Sequence, residues 1–227
     1  MRFALAASLC LLLASAPATQ AEGDKQDFSP AERLLFMTPQ LQGLQPPTLL
    51  RYTFSRTGSP DEAFVDSVTV AVSAKADGSC CDAKGAFLSG AHKLQVADVP
   101  AAEGNPVILY FLEHEVREMK RLTGGSENHF RKRLRMAIFQ GAEVRDVTLR
   151  YRGRAVKGQE IAFSPYLDDP NRPKYEKFAR KTYRFQLSAA VPGGVYGIRT
   201  HVPGEGPTPK PLLAEELLID GAQAPAR

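Results

Sequence analysis

The sequence is poor in cysteine, with three in 227 residues, and it lacks the short motifs of several common chemistries. Cys-x-x-Cys and Cys-x-x-Cys-His do not occur, which disfavours thioredoxin-like redox chemistry and haem attachment. No G-x-S-x-G elbow marks an α/β-hydrolase. Neither a Walker A loop nor G-x-G-x-x-G occurs, so phosphate-loop and dinucleotide binding are unsupported. His114-Glu115-Val116-Arg117-Glu118 begins like the zinc-protease helix motif, but Glu118 stands where the second histidine belongs. His114 and Glu118 could share a metal, yet no third ligand is evident. The expectation is a protein that is not an enzyme, with no cofactor and no metal. There is no internal repeat, and glycine and proline are at ordinary levels, which excludes collagen-like and low-complexity chains. With 43% hydrophobic residues the chain is too apolar to be wholly disordered.

The N-terminus reads as a secretory signal peptide. Arg2 supplies the positive charge, and Phe3 to Ser15 is an apolar run too short to span a membrane. Pro17 breaks it, and cleavage falls after Ala21, with Ala18 as the alternative. Cys10 lies inside the run behind Leu9, which disfavours a lipidation signal. No later stretch is long and apolar enough to cross a membrane, so the protein is expected to be exported and periplasmic. The layout is a signal peptide over 1–21, one domain over 22–202, and a Pro-rich linker with a flexible tail over 203–227.

Cys80 and Cys81 survive processing and are adjacent. In an oxidising compartment three readings stay open: a vicinal disulfide, free thiols or an intermolecular link, and a metal or redox site.

Hydrophobic periodicity organises the rest. Ser29-Pro30 opens a helix carrying Leu34 to Met37. Leu50, Tyr52 and Phe54 recur at period two, as do Val68, Val70 and Val72, and Gly58-Ser59-Pro60-Asp61 turns the chain between them. A weaker strand lies near Cys80 to Leu88. Asn105-Pro106 opens the clearest helix, with Ile108, Phe111, Leu112, Met119 and Leu122 on one stripe. Gly124-Gly125 closes it, and Ser126 caps a second helix carrying Phe130, Leu134 and Ile138. Strands resume at Val147 to Tyr151, Val156 to Phe163, Tyr183 to Leu187 and Tyr196 to Thr200. Leu212 to Asp220 reads as a short helix or a docking segment. The fold class is α+β: a strongly curved antiparallel sheet of about six or seven strands, half-barrel-like, with an inserted helical hairpin on its concave face.

Charge is unevenly spread. Between Glu113 and Arg184 there are 18 basic and 10 acidic residues. On the strand alternation Arg150, Arg152, Arg184 and Arg199 fall on the polar side of the sheet, where they are the candidates for binding an anionic headgroup or an acidic protein. Glu115 sits within the apolar stripe of its helix, where an unpaired carboxylate is costly. Arg131 or Arg133 of the next helix is its expected partner.

The signal peptide, the opening strand Leu49-Leu50-Arg51-Tyr52-Thr53-Phe54, the mid-chain helical pair and the closing hairpin around Val191-Pro192-Gly193-Gly194-Val195-Tyr196 together resemble the periplasmic lipoprotein-carrier and lipid-binding half-barrels, and the uncharacterised periplasmic β-rich families of similar size. The resemblance is one of layout and carries over no functional residue. It implies binding or carriage of an apolar or amphiphilic ligand. The candidate partners are a lipid or amphiphile and an envelope protein; no nucleic-acid module is present. Two other classes remain: a structural partner in an envelope assembly, and a metal-dependent hydrolase.

Overall fold

The computed structural model describes residues 28–204 and 210–223. The expected signal peptide lies outside the described residues. Eight strands form one antiparallel sheet: β1 (Thr48–Gly58), β2 (Phe64–Ala74), β3 (Cys80–Phe87), β4 (Glu143–Tyr151), β5 (Arg154–Phe163), β6 (Thr182–Leu187), β7 (Val195–Val202) and β8 (Leu213–Ile219). Their order is β3-β2-β1-β8-β7-β6-β5-β4. The helices are α1 (Pro30–Glu32, continued by a π-helical turn over Arg33–Met37), α2 (Val107–Thr123), α3 (Glu127–Gln140) and the single-turn α4 (Glu176–Ala179).

The expected strands form where the period-two patterns lie. In β1, Leu50, Tyr52 and Phe54 are buried and lie opposite Val70, Val68 and Asp66 of β2. The same inner face continues through Leu217, Ile198 and Phe185 on β8, β7 and β6. Helix α2 lies against it: Phe111 meets Phe185 edge-on, with ring centroids 6.3 Å apart, and Gly85 of β3 leaves room for the Tyr110 ring. Asn105 fixes the start of α2. Its Oδ1 accepts from the Val107 N–H, while its Nδ2 donates to the Tyr52 hydroxyl and the Gly193 carbonyl. Ser29 and Glu32 form a reciprocal capping box at α1. Ser126, expected as a cap, makes no side-chain capping bond.

One expectation is corrected. Leu213–Ile219 is neither helix nor tail. It is β8, paired with β1 on one side and β7 on the other. Leu213, Glu215, Leu217 and Ile219 alternate inward, so the period is two. A glutamate at one inward position interrupts the apolar alternation and hides it. The strand count rises to eight for this reason.

Beyond β8 the chain crosses to the far edge. Ala222 bridges to Tyr151 of β4, Arg152 donates its N–H to Gly221, and Gln223 donates to the Arg150 carbonyl. In a flat sheet β8 and β4 would stand about 19 Å apart, at ~4.8 Å per step. The sheet is therefore strongly coiled, though it remains open, with β3 and β4 at its edges.

Leu217→Ala tests the central place of β8. It should lower stability by about 2–5 kcal/mol, as large-to-small changes in a packed core do. A urea midpoint equal to that of the unaltered protein would return the segment to the status of a loose tail.

Candidate functional site

The expected arginines are not gathered into one surface. Glu160 of β5 accepts from Arg145 (2.5 Å), Arg184 (3.0 Å) and Gln186 (2.8 Å) on the sheet's outer face. Arg199 donates to Gln186 and pairs with Glu216. Burial works against Glu160's charge, but the hydrogen bonds from Gln186 and Arg145 and the Arg184 charge hold its carboxyl below the ordinary value. Arg184 and Arg199 are thus already balanced by carboxylates. Arg150 has the opposite strand parity to Arg145, so its side chain leaves from the other face of the sheet. Arg152 sits in the β4–β5 turn, its guanidinium 5.3 Å from the Tyr151 ring centroid.

Cys80 and Cys81 set their sulfurs side by side at the start of β3, 3.6 and 3.9 Å from the Leu41 carbonyl oxygen, in the placement a vicinal disulfide requires.

Glu115 is buried, as the helical stripe implies, but its partner differs from the expected one. It pairs with Lys181, which directly precedes β6. Arg131 instead pairs with Glu113 at 3.0 Å, and Arg133 with Asp169 at 3.2 Å, because both arginines leave α3 on flanks that do not reach the sheet side of α2. Lys181 also meets Glu215 of β8 at 3.3 Å. All three of these side chains are 0% exposed. Glu215 is further held by His114 (3.3 Å), Arg56 (3.6 Å) and the Thr200 hydroxyl (3.1 Å). Arg56 extends the network outward to Glu118 and Asp61.

Burial, reinforced by the neighbouring Glu215 charge, pushes the Glu115 carboxyl well above the ordinary range, against the pull of Lys181. Glu215 is buried too, but Lys181 and the His114 hydrogen bond hold it well below that range. Of the two carboxyls, Glu115 therefore holds a proton more readily than Glu215. His114, Glu115 and Glu215 offer ligand atoms within 4.8 Å of one another, close enough for a divalent cation. The Lys181 ammonium already supplies positive charge to both carboxylates. A cavity of about 450 Å³ reaches Arg56, His114 and Glu118, but neither Glu115 nor Glu215 lines it.

The space between sheet and helices, where a ligand was expected, is filled by this cluster and by Phe54, Phe111, Tyr183 and Phe185, all fully buried. An open apolar groove lies elsewhere, on a different face of α2. It is lined by Leu109, Leu112 and the buried Val116 of α2, by the buried Leu134 and Ile138 of α3, and by Phe36 and Val96. Its volume is about 600 Å³, within the range of small-molecule sites. Leu109 is 56% and Phe36 43% exposed. The charged lining residues are Glu113, Arg131 and Arg135. Glu113 is taken by Arg117 and Arg131, while Arg135 has no carboxylate partner among the described residues. Two wider depressions, of about 1040 and 1270 Å³, have mixed linings of turns and polar side chains.

Sequence reasoning missed the groove, yet a signal existed. Val107 to Leu112 is a run of apolar residues and one tyrosine, so the N-terminal third of α2 is apolar all round and must be covered on more than one side.

No protein-family model matches the chain, and no curated protein matches it. Among solved structures, lipoprotein LppX of Mycobacterium tuberculosis is similar over 87% of this chain and 95% of that one, at 9% identity and a TM-score of 0.34. That is a loose likeness of layout, and no residue role is transferred from it.

Two variants probe the buried cluster. Lys181→Met strands Glu215 and should cost about 3–5 kcal/mol, read from urea unfolding. Glu115→Gln keeps the neutral form. In the unaltered protein, folded and unfolded states both hold the Glu115 proton below the ordinary pKa of 4.5. As pH rises from there to the raised folded value, the unfolded state ionises first and stability falls. The variant should lack that decline, so the gap between the two stability curves should widen with pH. Parallel curves would mean that Glu115 does not hold the proton.

Proposed function

We propose that the protein is a non-enzymatic binder of an anionic amphiphile, with the apolar chain held in the groove between α2 and α3 and the headgroup met by Arg135. The observation that carries this reading is the groove itself: an apolar lining with Leu109 and Phe36 exposed to solvent, beside the exposed Arg135, which has no carboxylate partner among the described residues. Burying an acyl chain there removes apolar area at roughly 25 cal/mol per Å². The Arg135 guanidinium adds a charge-assisted hydrogen bond to a carboxylate or phosphate. The anion-binding role expected of Arg150, Arg152, Arg184 and Arg199 moves to Arg135, since none of those four lines the groove.

Export to the periplasm, expected from the N-terminal apolar run, belongs to the same reading: an amphiphile crossing an aqueous compartment needs a covered apolar site. Pairing with an envelope protein is the alternative. The hydrolase reading is disfavoured by burial, because the convergent carboxylates Glu115 and Glu215 have no exposed surface for a substrate to reach.

Titration with a dansyl-labelled fatty acid tests the proposal. Saturable binding is expected. Leu112→Asp should raise Kd at least tenfold by placing a charge in the apolar wall, and Arg135→Ala should raise it roughly tenfold. Far-UV circular dichroism confirms that each variant is folded. Absence of saturable binding to the folded, unaltered protein would overturn the reading.

A further inference from the structure

Part of the exposed apolar surface lies on or next to the elements that line the groove. Of the eight large hydrophobic residues exposed among the described residues, Phe36, Met37, Leu109 and Phe139 belong to elements that line the groove, Phe28 lies just before α1, and Leu49, Val65 and Leu167 lie elsewhere. Phe36 and Leu109 line it directly. Met37 ends the π-helical turn beside Phe36. Phe139 follows Ile138 on α3, and Ser29, next to Phe28, donates its hydroxyl to the Ile138 carbonyl. Phe28, Met37 and Phe139 do not line the groove.

Cations accompany them. Lys132, Arg135 and Phe139 are spaced by three and four residues, so they share one face of α3. Lys132 and Arg135 are exposed, and neither pairs with a carboxylate among the described residues.

We propose that this rim docks on the headgroup region of an anionic phospholipid bilayer, so that the groove exchanges its amphiphile with the membrane it rests on. The proposal rests on the amphiphile-binding reading and names the surface from which the ligand is collected or to which it is delivered. Two features favour a bilayer over a protein partner. Protein anchors fill well-packed pockets, whereas Phe28, Met37 and Phe139 stand outside the groove, in the manner of side chains that enter a membrane interface. Lys132 and Arg135, both unpaired, complement a negatively charged leaflet.

Co-sedimentation of the full chain with phosphatidylglycerol–phosphatidylcholine vesicles, against phosphatidylcholine vesicles alone, tests this. The unaltered protein should pellet with the anionic vesicles and be released by high salt. Lys132→Glu should lower partitioning at least fivefold, from about 1 kcal/mol per cation near the surface. The double variant Met37→Asp/Phe139→Asp should lower it at least tenfold and still bind the dansyl-labelled fatty acid normally in solution. Leu112→Asp should do the reverse, losing the fatty acid while keeping the vesicles. Protein that stays in the supernatant with both kinds of vesicle, or a double variant that pellets like the unaltered chain, overturns the docking proposal. Vesicle binding with no fatty-acid binding overturns the groove reading alone.

Discussion

The contact between Glu115, Lys181 and Glu215 is the constraint around which the molecule is arranged. It joins α2 to β8 and to the residue just before β6, and through Arg56 and Thr200 it reaches β1 and β7. Lys181 and Glu215 compensate charges that would be untenable alone in that position, and Glu115 closes the contact beside them. A buried ion pair is seldom the most stabilising way to fill a core; a well-packed apolar replacement often does as well. What it does impose is a single solution. Only one placement of α2 along the sheet puts Glu115 against Lys181 while Arg56 reaches Glu118, so the helix cannot slide by a turn.

That fixed placement has a consequence for the groove. Because the sheet-facing side of α2 is committed to the charge cluster and to Phe111, the apolar residues on its other face cannot turn inward. Leu109 and Leu112 stay where α3 and Phe36 leave a gap. The groove is thus a by-product of how firmly the opposite face of the same helix is held.

Much of the fold was legible in the sequence, and the failures have physical causes. Six strands and both long helices could be read because their apolar residues keep a period of 2 or of 3.6, and the weaker strand near Cys80 to Leu88 was read from the turn before it. β8 was missed because Glu215 occupies an inward position, and the identity of its cations depends on Lys181 and Arg56, far away in sequence. Glu115 was recognisable as a buried charge from its own helix, but its partner was not: a helical wheel shows which way a side chain points, never what stands opposite. The arginines of β6 and β7 were placed on the right face. Their neutralisation by Glu160 and Glu216 follows from strand register, which period-two reading leaves open.

The position of β8 also bears on how this chain is made. The strand stands between β1 and β7, so until Leu213–Ile219 have been synthesised the sheet exists only as two separate halves, each with an unpaired edge facing the gap. Glu115 and Lys181 likewise wait for Glu215. A chain emerging N-terminus first therefore has no complete core to lock into while most of its length is already available. Such late closure leaves the two open edges in need of protection from each other and from neighbouring chains until the last strand arrives.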